Sequence, residues 1–346
     1  MKISIVATVV LLICAALPEL LPAQPATAID RFERSQREAP FRPPSQLNLS
    51  TNREAPELYP GENTDVGLQR ILRLKPRKTY FEALADSQYF YTDNAFLSDQ
   101  NKNITALFVN TIQAAFAPEP YRMAKGQFAP QLGYRSQWFN YDLDGHDDGL
   151  NFLDFNAQTV FLAGHYQLGL WQFSAGFDFT RLLDQSRYEE AYREYVPNFA
   201  IQRFFPVDDK LTIVIGGQFN YHFSEVNPLA QIQTNLVSKT NTRVNDRYDF
   251  SAGISLSYEV IPQLVLQPFY RMQYTHYSGF SDNPLVARSS RVDFVHTVGA
   301  SVAYYFNKNV SARVFASYER KDSDYSATYD YHKLDAGGGL SFDFRF

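Results

Sequence analysis

Segments in which apolar and polar residues alternate recur along most of this chain, and many of them exceed ten residues. In residues 171–179, aromatic residues and alanine occupy every second position, and polar residues or glycine occupy the others. A period of two indicates a β-strand with one apolar and one polar face. Strands of soluble proteins cluster at about five or six residues. The length of these runs therefore favours strands that cross a bilayer.

Twelve such strands are predicted after the N-terminal region. They span 78–91, 104–117, 126–141, 152–168, 171–183, 190–203, 210–223, 246–259, 263–277, 290–306, 309–321 and 330–346. The alternation is poor in 78–91 and 152–168, and 224–245 is long enough to hide further strands, so the count has a margin of two.

The connections between these strands alternate in length, except that 118–125 is intermediate and 184–189 is shorter than its place among the outer loops suggests. The long ones are 92–103, 142–151, 224–245, 278–289 and 322–329, and the short ones include Gly169-Leu170, Ile261-Pro262 and Asn307-Lys308. Short periplasmic turns and longer outer loops are typical of outer-membrane barrels, and an even strand number places both chain ends in the periplasm.

The composition also favours a closed barrel over membrane-spanning helices. After residue 28, no apolar stretch reaches the roughly 20 residues of a spanning helix. In lipid, backbone polar groups are paired either within helices or within closed barrels. Aromatic residues make up 16% of the chain, which fits the aromatic girdles of barrels. The sequence therefore predicts an all-β, antiparallel up-and-down transmembrane barrel of about twelve strands over residues 77–346.

The N-terminal residues 1–28 predict a signal peptide. Lys2 supplies the positive charge, Ile3–Leu17 is apolar, and Ala28 ends a small-x-small cleavage site. A second cleavage site follows Ala23. A membrane anchor is the alternative, but a proline and a glutamate end the apolar run too early for a span.

Cysteine content and charge exclude several classes of function. Cys14 is the only cysteine and lies in the predicted signal peptide, so the mature chain has neither a disulfide framework nor a thiolate metal site. The formal net charge of -5 argues against a nucleic-acid partner. We expect no cofactor and no metal.

Residues 29–76 differ from the rest of the chain because they are rich in proline and charge and poor in aromatic residues. This composition predicts a periplasmic extension, flexible up to residue 60. Asp65–Leu74 has the apolar spacing of a short amphipathic helix. Such a helix either plugs the barrel or packs at its periplasmic rim, and the second is our expectation.

The last seven residues alternate strictly. Leu340, Phe342, Phe344 and Phe346 form one face, and the other is polar. This strand resembles the C-terminal targeting strand of bacterial outer-membrane β-barrel proteins. The resemblance implies location in the outer membrane of a Gram-negative-type cell, contact with its lipids, and recognition of these four residues by the barrel-assembly machinery.

A second resemblance lies at the top of the first strand. Tyr89-Phe90-Tyr91-Thr92-Asp93-Asn94-Ala95-Phe96-Leu97 is similar to first strands of barrels associated with exopolysaccharide export. The resemblance implies a polysaccharide-export complex as a partner. The residues alone indicate an aromatic belt, followed by the start of a loop at Asp93 and Asn94.

Charged residues on the polar faces are the candidate lumen lining, since charges that faced lipid would be costly. They are Arg135, Asp178, Asp249, Glu259, Arg271, Asp293, Arg313, Glu319, Lys333, Asp335, Asp343 and Arg345. They either line a path for a hydrophilic solute or form a salt-bridge network that fills the barrel. Both signs are present, which argues against strong ion selectivity.

Two further clusters are interpreted as loops rather than sites. Asp142, Asp144, His146, Asp147 and Asp148 resemble part of a calcium loop, but Phe155 stands where its last ligand belongs. We therefore expect a solvated acidic loop. His276-Tyr277-Ser278 with Asp282 and Asn283 holds residue types of outer-membrane phospholipases, but nothing else of that pattern is present.

The leading functional hypothesis is a porin-like channel for small hydrophilic solutes and not an enzyme. The alternative is a non-conducting barrel that partners a surface-polysaccharide export or assembly system, with residues 29–76 as a docking arm. An outer-membrane hydrolase is the third class.

Overall fold

A computed structural model describes residues 80–99, 102–141, 150–185, 189–226, 245–278, 291–324 and 330–346. These residues form thirteen strands. The strands are β1 (Phe81–Thr92), β2 (Thr105–Phe116), β3 (Tyr121–Met123), β4 (Gly126–Tyr141), β5 (Phe155–Leu168), β6 (Trp171–Asp184), β7 (Glu190–Pro206), β8 (Leu211–Val226), β9 (Arg247–Ile261), β10 (Leu264–Tyr277), β11 (Arg291–Tyr305), β12 (Val310–Ser323) and β13 (Tyr331–Arg345).

Twelve of these strands close into an antiparallel barrel. Neighbours in sequence pair with each other, except that β2 pairs directly with β4. The ring closes where β1 pairs with β13, from Glu82 opposite Arg345 to Thr92 opposite Asp335. β3 is not one of the twelve ring strands; it forms a short hairpin with the first residues of β4, on the edge of β4 that pairs with β2 further along. Closure leaves no strand edge unpaired within the ring, which is the condition for a sheet to exist in lipid.

The predicted all-β class and the twelve-stranded barrel are confirmed. Two local features were not predicted. The connection 118–125 contains β3, and the residues before β5 form a short 3-10 helix, Leu150–Leu153, where the prediction began a strand. Several predictions concern residues outside the described ranges: the signal peptide, the extension 29–76, the helix at 65–74, the acidic cluster 142–148, and Asp282 with Asn283.

The two ends of the barrel differ in their connections. Both chain ends of the barrel and the short turns, such as Gly169-Leu170 between β5 and β6, lie at one end, which we call the turn end. Gly169 adopts a φ of 58°, which glycine tolerates and which a two-residue hairpin turn requires. The opposite end carries the longer connections and is called the loop end. By the architecture of outer-membrane barrels, the turn end is periplasmic.

The outer surface of the barrel is apolar, with aromatic residues towards both ends. At the turn end the exposed aromatic residues are Phe81, Phe116, Trp171, Tyr258, Tyr304, Phe306, Phe344 and Phe346. At the loop end they are Tyr89, Tyr91, Tyr195, Phe223, Phe250, Phe294 and Tyr318. Aliphatic side chains such as Val314 lie exposed between them. This arrangement matches a bilayer core between two interfaces.

Among the described residues there is no helix of the length and apolarity needed to cross a membrane.

The poor alternation of the first and fifth predicted strands has a structural cause. Near the loop end, the inward face carries apolar residues, among them Phe90 and Phe155, while polar residues such as Asn156 face outward. Asn156 is nevertheless 6% exposed, because its amide donates to the hydroxyl of Ser136 and to the carbonyl of Gln137. The expected polar-in, apolar-out rule therefore fails locally because the lumen contains an apolar cluster.

Candidate functional site

The loop-end half of the lumen contains a buried network of charged side chains contributed by β7, β8 and β9. His222 lies with Nδ1 2.9 Å from Glu194 and Nε2 3.0 Å from Asp249. Arg247 contacts Glu194 at 3.4 Å and donates to the hydroxyl of Tyr192 at 3.3 Å. All five side chains are almost fully buried. Burying charge is costly unless it is paired, and here each charge has a partner.

This network continues around the barrel wall on β11, β12 and β13. Asp293 pairs with Arg291 at 3.0 Å and with Lys321 at 3.2 Å. Glu319 accepts hydrogen bonds from Thr297 and from the hydroxyl of Tyr331 at 2.8 Å. Lys333 and Asp335 lie beside them, 3.8 Å apart and fully buried. One side of the loop-end lumen is thus filled by paired ions and the hydroxyls that bind them.

The other side of the loop-end lumen is filled by an apolar cluster. Its buried members are Phe90, Ala95, Leu107, Val109, Phe139, Tyr141, Leu150, Leu153, Phe155, Ala157, Leu182 and Tyr192. The rings of Phe139 and Phe155 stack with centroids 4.3 Å apart. Leu150 and Leu153 come from the 3-10 helix, and Ala95 comes from the loop after β1. Connecting segments therefore fold inward and pack against the barrel wall.

Asp93 and Asn94 hold that first loop in place. The backbone N–H of Leu334 donates to Asp93 at 2.7 Å. The buried side-chain amide of Asn94 donates to the carbonyls of Ser98 and His332, at 2.8 and 3.0 Å. Ala95 is fully buried next to it, and Phe96 packs against the apolar cluster. The stretch interpreted from sequence as an aromatic belt is thus divided: Tyr89 and Tyr91 are exposed, whereas Phe90 faces inward.

The turn-end half of the lumen is more accessible and mostly lined by small polar side chains. Two ion pairs lie in it. Arg313 donates to Asp86 at 3.0 Å, and the hydroxyl of Ser341 donates to the same carboxylate. Arg345 contacts Glu82 at 3.2 Å, and Gln131 donates to that carboxylate from across β2.

The remaining turn-end wall combines amides, hydroxyls and small residues with some apolar side chains, such as Phe204 and Val214, which pair in register on the inward face and are buried. The polar inward positions include Gln127, Gln131, His165, Gln167, Gln172, Ser174, Asn198, Gln202, Gln218, Ser255, Ser257, Ser301 and Ser311. His165 and Ser174 are linked at 2.8 Å. The wall resembles the polar lining of an aqueous lumen more than a packed core.

The twelve charged residues predicted for the lumen lie on the inward sides of their strands, at three levels. At the loop end are Asp249, Asp293, Glu319, Lys333 and Asp335; near mid-height are Arg135, Asp178 and Arg271; and towards the turn end are Glu259, Arg313, Asp343 and Arg345. Their role in solute passage stays a proposal.

Sequence reasoning missed the most connected members of the network, Glu194, His222 and Arg247. Each lies on the same strand face as a buried inward residue two positions away, such as Tyr192, Ser224 or Asp249. The period of two would therefore have placed them inward had it been applied to every charged residue.

The hydrolase motif does not assemble among the described residues. His276 lies on the outward face of β10, where its ring stacks on Tyr248 at 4.9 Å. Ser278 donates through its backbone N–H and its hydroxyl to the carbonyl of Asp246. Within the described ranges, no group of three or more His, Cys, Asp or Glu residues has an arrangement that could hold a metal ion.

Comparisons with known proteins find similarity only at the level of structure. No protein-family model matches the sequence, and no curated protein matches it. An outer membrane channel from Pseudomonas putida F1 is 11% identical with a TM-score of 0.46, over 80% of this chain and 100% of that one. KdgM porin is 12% identical with a TM-score of 0.37, over 75% and 99%. The outer membrane channel DcaP of Acinetobacter baumannii is 9% identical with a TM-score of 0.36, over 76% and 96%.

At these identities and TM-scores the likeness carries no argument about function. The barrel's own geometry is more direct: twelve strands close on themselves, the outer surface is apolar between aromatic ends, and the inner surface is largely polar. The described residues have the fold of an outer-membrane β-barrel protein, in contact with the membrane lipids along its outer face.

Proposed function

We propose that this barrel is a porin-like channel for small hydrophilic solutes. The observation that carries the proposal is the turn-end half of the lumen, whose wall offers amides, hydroxyls and glycines around the two ion pairs Arg313–Asp86 and Arg345–Glu82. A lumen that served only to hold the barrel rigid would be filled by packed side chains at both ends. The accessible polar wall supports a water-filled vestibule on the periplasmic side.

The loop-end half then determines which solutes pass. Its buried ion network and apolar cluster meet in the same section of the lumen, where Tyr192 belongs to both. Passage through this section requires a narrow path or a displacement of the inward-folded segments. The charges in the network have both signs, so the channel favours neither cations nor anions strongly.

Single-channel conductance of the refolded mature chain in a planar bilayer tests the proposal. We expect small, stable, ohmic steps, because the loop-end section is narrow. Folding is checked independently by heat-modifiable migration on a denaturing gel. A barrel that is folded by this criterion and yet passes no current contradicts the channel.

A second function is favoured by one specific observation, the packing of the loop-end lumen. If that section never opens, the barrel is a non-conducting partner of a surface-polysaccharide export or assembly system, with residues 29–76 as its docking arm. The conductance measurement separates the two functions. A folded, silent barrel that co-purifies with such a system through residues 29–76 would support the partner role.

The barrel-assembly machinery is the further partner that we propose. Leu340, Phe342, Phe344 and Phe346 all point outward at the turn end, and Phe346 is 60% exposed. An exposed terminal side chain adds little to folded stability, so it is available as a recognition signal. We expect Phe346→Ser to slow insertion into the outer membrane in cells while leaving the stability of the refolded barrel unchanged. Equal insertion rates would contradict the role.

A further inference from the structure

Four glutamines lie side by side on the inward face of β4 to β7 near the turn end. Gln127 pairs in register with Gln167, Gln167 with Gln172, and Gln172 with Gln202. Residues that face each other in register point to the same side of a sheet. On β6 that side is the lumen, because Thr180 and Leu182 share it and are buried, whereas Trp171 and Phe177 face outward.

The amide groups of this glutamine row are accessible, and most of them make no hydrogen bond to another described residue. All four side chains are partly exposed to the lumen. Gln167 donates to the carbonyl of Gly169 at 2.6 Å. Gln127, Gln172 and Gln202 have no side-chain hydrogen bond to any other described residue. Each free amide presents one acceptor and two donors to the lumen.

The wall around the glutamine row carries no ionic charge. Between the level of Arg135 and Asp178 and the turn end, the inward positions of β4 to β8 in the described part of the chain hold no Asp, Glu, Lys or Arg. Across the lumen, Glu82 is paired with Arg345 and Asp86 with Arg313, and the other inward charges towards the turn end are Glu259 and Asp343. An ion passing this wall therefore finds no opposite charge to replace its hydration, whereas an uncharged polar molecule loses less by leaving water.

The spacing of the row selects among uncharged polar molecules. Neighbouring strands repeat at roughly 4.8 Å, so the four amides form a ladder with that repeat. This repeat is close to the length of one sugar unit in an extended chain, and paired donors and acceptors on each amide match adjacent hydroxyls. We infer that the row formed by Gln127, Gln167, Gln172 and Gln202 is a binding site for a neutral, linear oligosaccharide. The inference rests on the proposed channel, because the ligand reaches the row through the lumen.

Current blockade in the planar bilayer tests this site, with maltohexaose added on the turn-end side as the probe. We expect saturable blockade by maltohexaose, weaker blockade by an anionic oligosaccharide of equal length, and none that saturates with a polyethylene glycol of matched size. The triple variant Gln127→Leu, Gln172→Leu, Gln202→Leu keeps side-chain volume and removes three amides. Its affinity for maltohexaose should fall roughly tenfold or more.

The matched control is the triple variant Ser255→Ala, Ser257→Ala, Ser301→Ala on the facing inward wall. It removes three polar groups from the same half of the lumen and should bind maltohexaose like the unaltered protein. If the glutamine variant is not heat-modifiable, Gln172→Leu alone replaces it, with about a threefold loss expected. Unchanged affinity in the folded glutamine variant, equal blockade by polyethylene glycol, or stronger blockade by the anionic oligosaccharide would overturn the site.

Failure of the channel and failure of the site give different results. If the folded barrel passes no current, titration calorimetry with maltohexaose on the same detergent-solubilised protein decides the inference. Saturable heat that is lost in the glutamine variant retains the site and rejects only the channel. No heat from the unaltered protein overturns the site, whatever the conductance shows.

Discussion

The two halves of the lumen are built from the same twelve strands and differ in almost every physical property. At the loop end, Arg247, Glu319 and Lys333 are fully buried, and inward-folded segments complete an apolar cluster. At the turn end, the charged side chain of Arg345 is 45% exposed, and glutamines and serines line an accessible wall. The barrel therefore resembles a packed core at one end and an aqueous vestibule at the other.

This difference shows that one barrel lumen can be packed along part of its length and accessible along the rest. The buried ion pairs and aromatic stacks hold the loop end together, and in the proposed channel they determine which solutes pass. In the same proposal, the more accessible turn end is the half that binds solute. The comparison makes separate predictions for substitutions of the same kind placed in each half.

The largest difference is expected between two arginines. Arg247→Met leaves Glu194 and the rest of the network with an uncompensated buried charge, and should lower the free energy of unfolding by about 3–5 kcal/mol. Arg345→Met breaks an exposed pair and should cost about 0–1 kcal/mol. Urea unfolding in detergent micelles, followed by tryptophan fluorescence, measures both. Equal losses would remove the distinction between the two halves.

A slightly smaller effect is expected from the apolar cluster. Phe155→Ala removes a buried ring that stacks on Phe139 and should cost about 3 kcal/mol. Because the side chain fills the loop-end lumen, the same variant should raise single-channel conductance. Leu84→Ala, at a half-buried inward position of the turn end, is the control and should cost about 1 kcal/mol without changing conductance. A stable Phe155→Ala barrel with unaltered conductance would show that the cluster does not limit the pore.

The smallest of the three effects concerns the first loop. Asn94→Ala removes the amide that bonds Ser98 and His332, and should cost about 1–3 kcal/mol. The loop after β1 should then become more sensitive to limited proteolysis, while the strands stay resistant. Ser301→Ala at the turn end should leave both stability and cleavage unchanged. Protection equal to that of the unaltered protein would show that other contacts hold the loop inside the lumen.

The strands themselves were largely predictable from sequence. The prediction for 126–141 coincides with β4, and most other boundaries differ by one to three residues. This success has a local cause, since a period of two and the residues at turns are properties of short segments. β3 was missed because three exposed residues, Tyr121–Met123, are too few to show a period.

The candidate site was predictable only in part. Alternation placed Asp249 and Glu319 on inward faces, but it does not indicate which side chains they pair with. Glu194 and His222 are 28 positions apart in sequence, and Asp86 and Arg313 are 227 apart. Such pairings follow from the order and register of strands around the ring, which no single segment encodes.

The sequence by itself therefore determined the class of fold, the number of strands in the ring to within two, and which residues alternate between its two faces, because these depend on local spacing and length. The tertiary structure decided what fills the lumen. The folding of Ala95, Leu150 and Leu153 into it, the pairing of buried charges, and the alignment of four glutamines in one row all depend on which strands become neighbours when the barrel closes. Closure is a long-range event, and its consequences appear only when residues distant in sequence share one enclosed space.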